Sequence, residues 1–197
     1  MTAIPLTFEI AYIQAEVVDE ERSLVERAKS DPEALAMLYR KFQPRIAAYV
    51  FRRIGRSHET EDIVADVFLG MVKGLMKYRD GDTPFVAWLY RIATNEINRS
   101  LRKRRVRTFF GLSIDLPTRS QESNDDGEDL RRALTKLPIV FQTVLALYYL
   151  EELSIEEIAV VTNCPTGTVK SRLARGRNSL RTLLEVTNQN NLDRNNP

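Results

Sequence analysis

The chain has 197 residues, 43% of them hydrophobic and 28% charged, and a formal net charge of +2, which suits a folded protein of one ordinary domain or two small ones. A single cysteine excludes an internal disulfide, and one Cys with one His cannot complete a structural zinc site. The sequence has no apolar run of about 18 residues, no signal-peptide pattern and no glycine-rich phosphate loop, so we expect a cytoplasmic protein that does not insert into a membrane and has no cofactor, bound metal or catalytic centre.

Nearly all local signals in the first half of the chain are helical. Ser30–Glu33 offers an N-cap and a proline at the first helical position, and Gly55 offers a stop. Pro44 falls inside this segment and is expected to kink or restart the helix. A second helix is expected after Ser57, a turn at 79–82 and a third helix from Thr83. The core positions predicted from helical spacing are Leu35, Leu38, Phe42, Ile46 and Tyr49, then Ile63, Val67, Met71 and Leu75, then Phe85, Trp88, Leu89, Ile92, Ile97 and Leu101.

The second half begins with a stretch that lacks a helical period. Residues 107–127 contain Pro117 and many Ser, Asn and Asp residues, which predicts a flexible linker. Helical spacing resumes near Leu130, and Pro138 starts a further helix. We therefore predict an all-α fold, with two small helical domains at 21–106 and 128–186 joined by a flexible acidic linker. An acidic N-terminal extension at 1–20 and a disordered tail at 187–197 complete this organisation.

Charge is segregated along the chain. Residues 91–107 hold seven bases and one acid, and residues 166–181 hold five bases and no acid. Between them, residues 115–129 hold six acids and one base, and residues 1–20 hold four acids and no base. Two basic blocks separated by an acidic one favour two surfaces that bind a polyanion. Solvated helix faces are the alternative.

Residues 154–184 have the pattern of a helix-turn-helix. Ser154 and Glu157 fit a capping box, and Asn163 stands where the turn needs a left-handed residue. Pro165 prevents the first helix from continuing, and Thr166 is expected to cap the second. The residues expected to pack the two helices together are Leu153, Ile158, Ala159, Val169, Leu173 and Leu180.

The opposite face of the second helix is basic and polar. Such a helix fits the major groove of duplex DNA, where Arg can pair with guanine while Lys and Ser hold phosphates. A helical hairpin with a solvated basic helix is the alternative. The residues expected to contact DNA are Thr168, Lys170, Ser171, Arg172, Arg175 and Arg177.

Three segments resemble one known family. Gly167–Arg177 (GTVKSRLARGR) is similar to the C-terminal DNA-binding domain of bacterial sigma factors. Phe85–Asn95 (FVAWLYRIATN), followed by a basic run, resembles the promoter-melting segment of the extracytoplasmic-function class. Glu61–Phe68 (EDIVADVF) resembles the polymerase-binding helix of that class. The order of the segments and the short linker between them are also those of this class.

The resemblance implies a protein that binds core RNA polymerase, through its clamp coiled coil and its flap, and directs it to promoter DNA. The second domain would read the −35 element, and the first would read and open the −10 element. By position, Asp62, Asp66 and Phe68 match the polymerase-binding surface. The residues that match the −10 surface are Arg79, Asp80, Tyr90, Asn95, Asn98, Arg99, Arg102, Lys103, Arg104 and Arg105. Trp88 is expected in the core, and Tyr90 is expected to be the exposed aromatic.

The resemblance further implies a protein that is monomeric when free. Most members of the class are held by an anti-sigma factor, and the sequence leaves open whether this chain is. Two residues depart from the family pattern: Arg99 stands where an acid is common, and Ala65 where Gln is common.

Two other functions would require features that the sequence lacks. A conventional dimeric helix-turn-helix regulator would bind duplex DNA without polymerase, but the first domain has its own basic helix and no pattern of an apolar ligand pocket. A metal-dependent nuclease would need clustered carboxylates or His, and Asp80 with Asp82 is more typical of a turn.

Overall fold

The computed structural model of the protein describes residues 19–55, 58–79, 83–109, 130 and 133–194, with the backbone alone at 107–109 and 186–194. Every regular element in these residues is a helix, which confirms the predicted all-α fold. The helices are α1 (19–27), α2 (Pro32–Ile54), α3 (His58–Leu75), α4 (Phe85–Phe109), α5 (133–136), α6 (Ile139–Tyr149), α7 (Ile155–Thr162) and α8 (Thr166–Arg194).

Helix α2 begins and ends where the sequence predicts. The Asp31 side chain accepts a hydrogen bond from the Glu33 backbone N–H, Pro32 is the first helical residue, and Gly55 ends the helix at φ 86°. The helix does not restart at Pro44, because α2 is one continuous helix through it. Phe42 and Ile46 are buried on either side of Pro44, and their packing stabilises the helix across the missing backbone hydrogen bond.

The first domain packs α2, α3 and α4 around an apolar core. The α3 positions Ile63, Val67, Met71 and Leu75 are all buried, as their spacing predicts. Trp88 is half-buried, and its ring centroid lies 5.1 Å from that of Tyr78, which confirms the expected core position. Gly74 permits the close approach of α3 to α4, since a Cβ there would lie 2.8 Å from the Trp88 ring.

The predicted helix-turn-helix is formed by α7 and α8. Ser154 and Glu157 make both hydrogen bonds of the capping box, and Asn163 has the left-handed conformation at φ 50° and ψ 51°. Val169 and Leu173 are buried. The expected cap at Thr166 is wrong by one residue, because α8 begins at Thr166 and the Pro165 carbonyl accepts from the Val169 N–H.

Two predicted boundaries need correction. Helix α4 continues to Phe109, beyond the predicted linker start at 107, and the rest of that linker lies outside the described residues. Residues 187–194, predicted to be disordered, continue α8. An established helix gains one hydrogen bond for each residue added to it. Helix propensity in the Asn-rich segment costs only about 0.5 kcal/mol per residue relative to Ala. No Pro occurs between Thr166 and Pro197. The acidic extension also lies outside the described residues, apart from Asp19 and Glu20 at the start of α1.

The two domains pack against each other. Helix α7, and to a smaller extent α6, lies on α4, so the buried apolar residues form a single cluster that includes members of both domains. Within the described ranges, no helix has both the length and the apolar character to span a membrane.

Candidate nucleic-acid interface

The basic face of α8 is open to solvent. Lys170, Ser171, Arg175 and Arg177 are exposed, while Val169 and Leu173 on the opposite side are buried. The capping box and the left-handed Asn163 fix the direction in which α8 leaves the turn. This arrangement presents a cationic helix face that a DNA groove could accept.

Two arginines of α8 make side-chain contacts within the second domain. Arg172 is half-buried, and its guanidinium donates to Cys164 Sγ at 3.5 Å. Arg177 donates to Tyr149 Oη at 3.3 Å, and this hydrogen bond raises the pKa of the guanidinium. Thr168 is half-buried, and its carbonyl accepts from Ser171 Oγ. Among the predicted −35 residues, Lys170 and Arg175 are therefore the exposed bases without a recorded side-chain partner in the described part of the chain.

The basic half of α4 is also exposed along one face. Arg99 is 58% exposed and pairs with Glu96 at 3.3 Å on the same helix. The basic residues 102–105 lie toward the C-terminal end of α4, where the helix macrodipole favours cations. They are therefore compatible with a stable α4. Asp80 lies outside the described residues. The exposed residues of the predicted −10 surface are Arg79, Asn95, Arg99, Arg102, Lys103 and Arg105.

Two residues predicted for the −10 surface bind other residues of the protein instead. Tyr90 is only 1% exposed, so the expectation of an exposed aromatic is wrong. Its hydroxyl donates to Glu151 of the second domain at 2.5 Å, and burial, with this hydrogen bond and the Glu151 charge, raises the pKa of the phenol. Arg104 is half-buried and donates to Glu59 at 2.6 Å and to the Ile54 carbonyl at 3.1 Å. Arg104 therefore stabilises the ends of α2 and α3.

Asn98 lies at the contact between the domains. Its side-chain oxygen accepts from Thr143 Oγ1 of α6 at 3.3 Å and from Arg53 at 3.4 Å. Arg53 also donates to Thr143 Oγ1 at 3.2 Å, while its Nε is buried without a partner in the described residues. Burial lowers the pKa of Arg53 and raises that of the neighbouring Tyr49, whose hydroxyl lies 3.0 Å from Thr94 Oγ1.

Two residues of the predicted −10 surface and one of the predicted −35 surface line a common cavity. A space of about 240 Å³ is lined by Asn95 and Asn98 of α4 and by Arg172 of α8. Residues expected to contact two different stretches of DNA therefore lie side by side in this arrangement.

Two of the three predicted polymerase-binding residues are exposed, and the third is buried. Asp62 and Asp66 are exposed on α3, next to Leu69, which is 55% exposed. Phe68 is only 6% exposed, and its ring packs edge-on against Tyr39 at 4.6 Å. Its assignment as a surface contact is wrong, because the helical register turns Phe68 toward α2.

Comparisons with known proteins agree with both domains. The family model for sigma-70 region 2 matches residues 38–107, and that for sigma-70 region 4 matches residues 127–180. The chain is 31% identical over 169 residues to the ECF RNA polymerase sigma factor SigW of Bacillus subtilis, an alignment that covers 78% of this chain and 90% of SigW. The chain belongs to the extracytoplasmic-function (ECF) RNA polymerase sigma factors. It is also 32% identical over 180 residues to the ECF RNA polymerase sigma-E factor of Escherichia coli, covering 81% and 92% of the two chains.

Solved structures are similar to this sigma factor over most of its length. The sigma factor RpoE of Bartonella quintana, in complex with the anti-sigma factor NepR, has a TM-score of 0.61 and 27% identity, covering 77% of this chain and 97% of the other. CnrH, in complex with the cytosolic domain of CnrY, has a TM-score of 0.64 and 24% identity, covering 84% and 97%, and shows the fold. The curated relatives place this chain among transcription initiation factors that act on RNA polymerase in the cell interior.

Sequence reasoning missed the residues that join the two domains of this sigma factor. Glu151 follows α6 and is only 3% exposed, with Arg45, Arg52 and Tyr90 of the first domain around it. No local pattern marks a single acid after a helix as an interdomain contact. Spacing gave no indication of Thr143 either, since its partners are about 45 and 90 residues away along the chain.

Proposed function

We propose that this sigma factor reads the −35 element with α8 and reads and opens the −10 element with the exposed basic face of α4. In this proposal it acts by binding, in the cytoplasm with its polymerase, and not by catalysis. The observation that carries the proposal is the exposed cationic face of α8, which follows a fixed turn in a chain of this family.

The proposed −35 contacts are Lys170, Ser171, Arg172, Arg175 and Arg177, with Thr168 at the start of the helix. Exposed Arg175 is the best candidate for a base edge, because Arg can donate two parallel hydrogen bonds to guanine. Lys170 and Ser171 suit phosphate contacts that fix the position of the helix.

The proposed −10 contacts are Arg79, Asn95, Arg99, Arg102, Lys103 and Arg105, together with Asn98 once its contact with Thr143 is released. A cationic groove and amides that can pair with a base edge are what separated strands require. Tyr90 and Arg104 are left out because they are bound inside the protein.

The proposed polymerase contact is the exposed acidic face of α3 around Asp62 and Asp66. An acidic face with neighbouring apolar side chains suits a basic, amphipathic partner helix such as a coiled coil. The relative from Bartonella quintana is described in complex with an anti-sigma factor, and we propose that an anti-sigma factor also regulates this chain.

The test is run-off transcription with purified core polymerase and a genomic promoter library, with and without this protein. We expect new starts that depend on the protein and share two upstream elements. No new start, combined with a gel shift on duplex DNA alone, would instead indicate a conventional helix-turn-helix regulator.

A further inference from the structure

We propose that Tyr149, at the end of α6, is a DNA-contacting residue that binds one phosphate of the −35 element together with Arg177 of α8. This inference rests on the proposed function, because it extends the surface with which α8 meets the −35 element. It adds a residue of α6 to a set of contacts that otherwise come from α8 alone.

Close packing of α6 and α8 brings the two side chains together. Phe141, Leu145 and Tyr149 are spaced four residues apart, so they lie along one face of α6, and α8 packs against this face. Gly176 of α8 is buried there, and a Cβ on it would lie 3.2 Å from the Leu145 side chain and 3.3 Å from that of Phe141. A larger residue would hold the helices farther apart, so Gly176 allows Arg177, the next residue, to reach Tyr149.

The contact between Arg177 and Tyr149 lies at the protein surface. The guanidinium donates to Tyr149 Oη at 3.3 Å, and no carboxylate pairs with Arg177 among the residues that the structure describes. Tyr149 is 52% exposed, and Arg177 is exposed as well. The Tyr148 ring packs edge-on against the Tyr149 ring with the centroids 4.9 Å apart, which restricts the rotation of Tyr149. The pair is thus both accessible to DNA and restrained.

The hydrogen-bond donors of this pair are only partly used. Because Tyr149 Oη accepts from Arg177, the phenolic hydrogen points elsewhere, and it has no acceptor in the described part of the chain. The guanidinium keeps further N–H donors of its own. An oxygen that accepts from a cation also becomes a stronger donor through its own hydrogen. Two kinds of donor, one of them charged, therefore lie side by side at the surface, which suits the oxygens of a phosphodiester.

The place of Arg177 along α8 favours a phosphate over a base edge. In a helix-turn-helix, the N-terminal residues of the second helix reach the base edges. Arg177 lies seven residues after Lys170, which places both on the same face and separates them by roughly 10 Å along the helix axis. A contact so far from the start of α8, and shared with Tyr149 of another helix, is typical of a phosphate that fixes the position of the protein on the duplex.

The experiment measures holoenzyme binding to a labelled duplex by fluorescence anisotropy. The duplex carries the promoter found by run-off transcription, and core polymerase is saturating. The proteins compared are the wild type, Tyr149→Phe, Arg177→Gln and the double variant. The control is Tyr39→Phe, which removes the hydroxyl of a residue that is 44% exposed on α2, outside both basic helices.

We expect Tyr149→Phe to weaken binding about three- to tenfold, because it removes one hydrogen bond to a charged phosphate at an exposed site. Tyr39→Phe should leave the affinity unchanged. In the Arg177→Gln background, Tyr149→Phe should cost much less, since the two side chains bind the same phosphate. Equal costs in both backgrounds would contradict a shared contact.

A second readout separates a phosphate contact from a structural role of Tyr149. Phosphates of the −35 element are replaced one at a time by uncharged methylphosphonate. One replacement should weaken binding of the wild type several-fold and that of Tyr149→Phe much less, because the variant has already lost part of that contact. Thermal unfolding of the two proteins should have the same midpoint. If every replacement weakens both proteins by the same factor, Tyr149 does not bind a phosphate and the proposal is overturned.

Run-off transcription separates failure of the Tyr149 contact from failure of the proposed function. Protein-dependent starts, together with identical factors in the methylphosphonate series, would overturn the Tyr149 contact and leave the proposed function intact. If the protein starts no transcription but shifts duplex DNA by itself, the proposed function is wrong, and the same series on that duplex still decides whether Tyr149 binds a phosphate. If the protein neither starts transcription nor shifts DNA, both are overturned.

Discussion

The two domains present their basic helices in different ways. In the second domain, α8 packs one side against α6 and α7 and leaves Lys170, Arg175 and Arg177 exposed. In the first domain, α4 serves as core helix, interdomain contact and candidate DNA surface at once, with Tyr90 buried and Arg104 paired to Glu59. The exposed bases of α8 are therefore available for recognition, whereas a base on α4 can equally be structural.

The difference follows from where each helix lies. Helix α8 is an outer helix with one packed side, and on its basic face Arg177 bonds to Tyr149 at the end of α6 while Lys170 and Arg175 stay exposed. Helix α4 contacts α2 and α3 of its own domain and α6 and α7 of the other. Its surface is divided among several partners, so its free face is narrower than its basic composition suggests.

The largest effect is expected from damage to the core of the second domain. Ile158→Ala removes a fully buried side chain between α7 and its neighbours and should lower the free energy of unfolding by about 2–5 kcal/mol. Urea unfolding followed by circular dichroism measures this change. The control is Val140→Ala, at a position 46% exposed, which should cost less than about 0.5 kcal/mol. Equal effects of the two substitutions would contradict the described core.

A smaller effect is expected where α3 and α4 approach closely. In Gly74→Ala the new Cβ would lie 2.8 Å from the Trp88 ring, so overpacking should cost about 1–3 kcal/mol despite the better helix propensity of Ala. Gly167→Ala is the matched control, because a Cβ there meets open space. Thermal unfolding compares the two, and a stabilised Gly74→Ala protein would refute this close approach.

Replacing an arginine of α8 should affect DNA binding, whereas replacing Arg104 of α4 should affect stability. Arg175→Ala should weaken −35 binding by about 1–3 kcal/mol and leave stability unchanged. Arg104→Ala should lower stability by about 1 kcal/mol, through a pair that is a third exposed, and leave −35 binding unchanged. Holoenzyme binding to promoter DNA and urea unfolding measure both quantities for each variant. A loss of −35 binding on Arg104→Ala would remove the distinction between the helices.

The smallest effect is expected at the exposed acids of α3. Asp62→Asn with Asp66→Asn should weaken binding to core polymerase by about 1 kcal/mol, since exposed charges contribute little each, and should leave the fold intact. Fluorescence anisotropy with purified core polymerase measures this affinity. Glu156→Gln, an exposed acid of α7, is the control. Unchanged affinity in the double variant would retract this surface.

The elements that could be predicted from sequence are those set by local chemistry. The capping box at Ser154, the left-handed Asn163 and the glycine stop at Gly55 each depend on a few consecutive residues. The apolar spacing of α3 indicated its buried face correctly for the same reason.

The remaining features depend on contacts between distant parts of the chain. Tyr90 lies off the apolar stripe of its own helix, and contacts with distant residues explain its burial: its ring packs on Tyr49 and its hydroxyl bonds to Glu151, 61 residues away. In the sequence, Arg104 is indistinguishable from the other bases of its basic run, because its partner Glu59 lies 45 residues away. Pro44 interrupts a helix in isolation, but buried neighbours hold α2 together. Composition and spacing contain no information about such pairs.

The measurement that most directly tests the account is transcription from one promoter whose −35 or −10 element is scrambled, using the wild type, Arg175→Ala and Asn95→Ala with core polymerase. We predict that Arg175→Ala and the scrambled −35 element are non-additive, since they remove the same contact, and that Asn95→Ala is non-additive with the scrambled −10 element. Each substitution should add fully to the loss caused by scrambling the other element. If every combination is simply additive, α8 and α4 do not read the elements assigned to them.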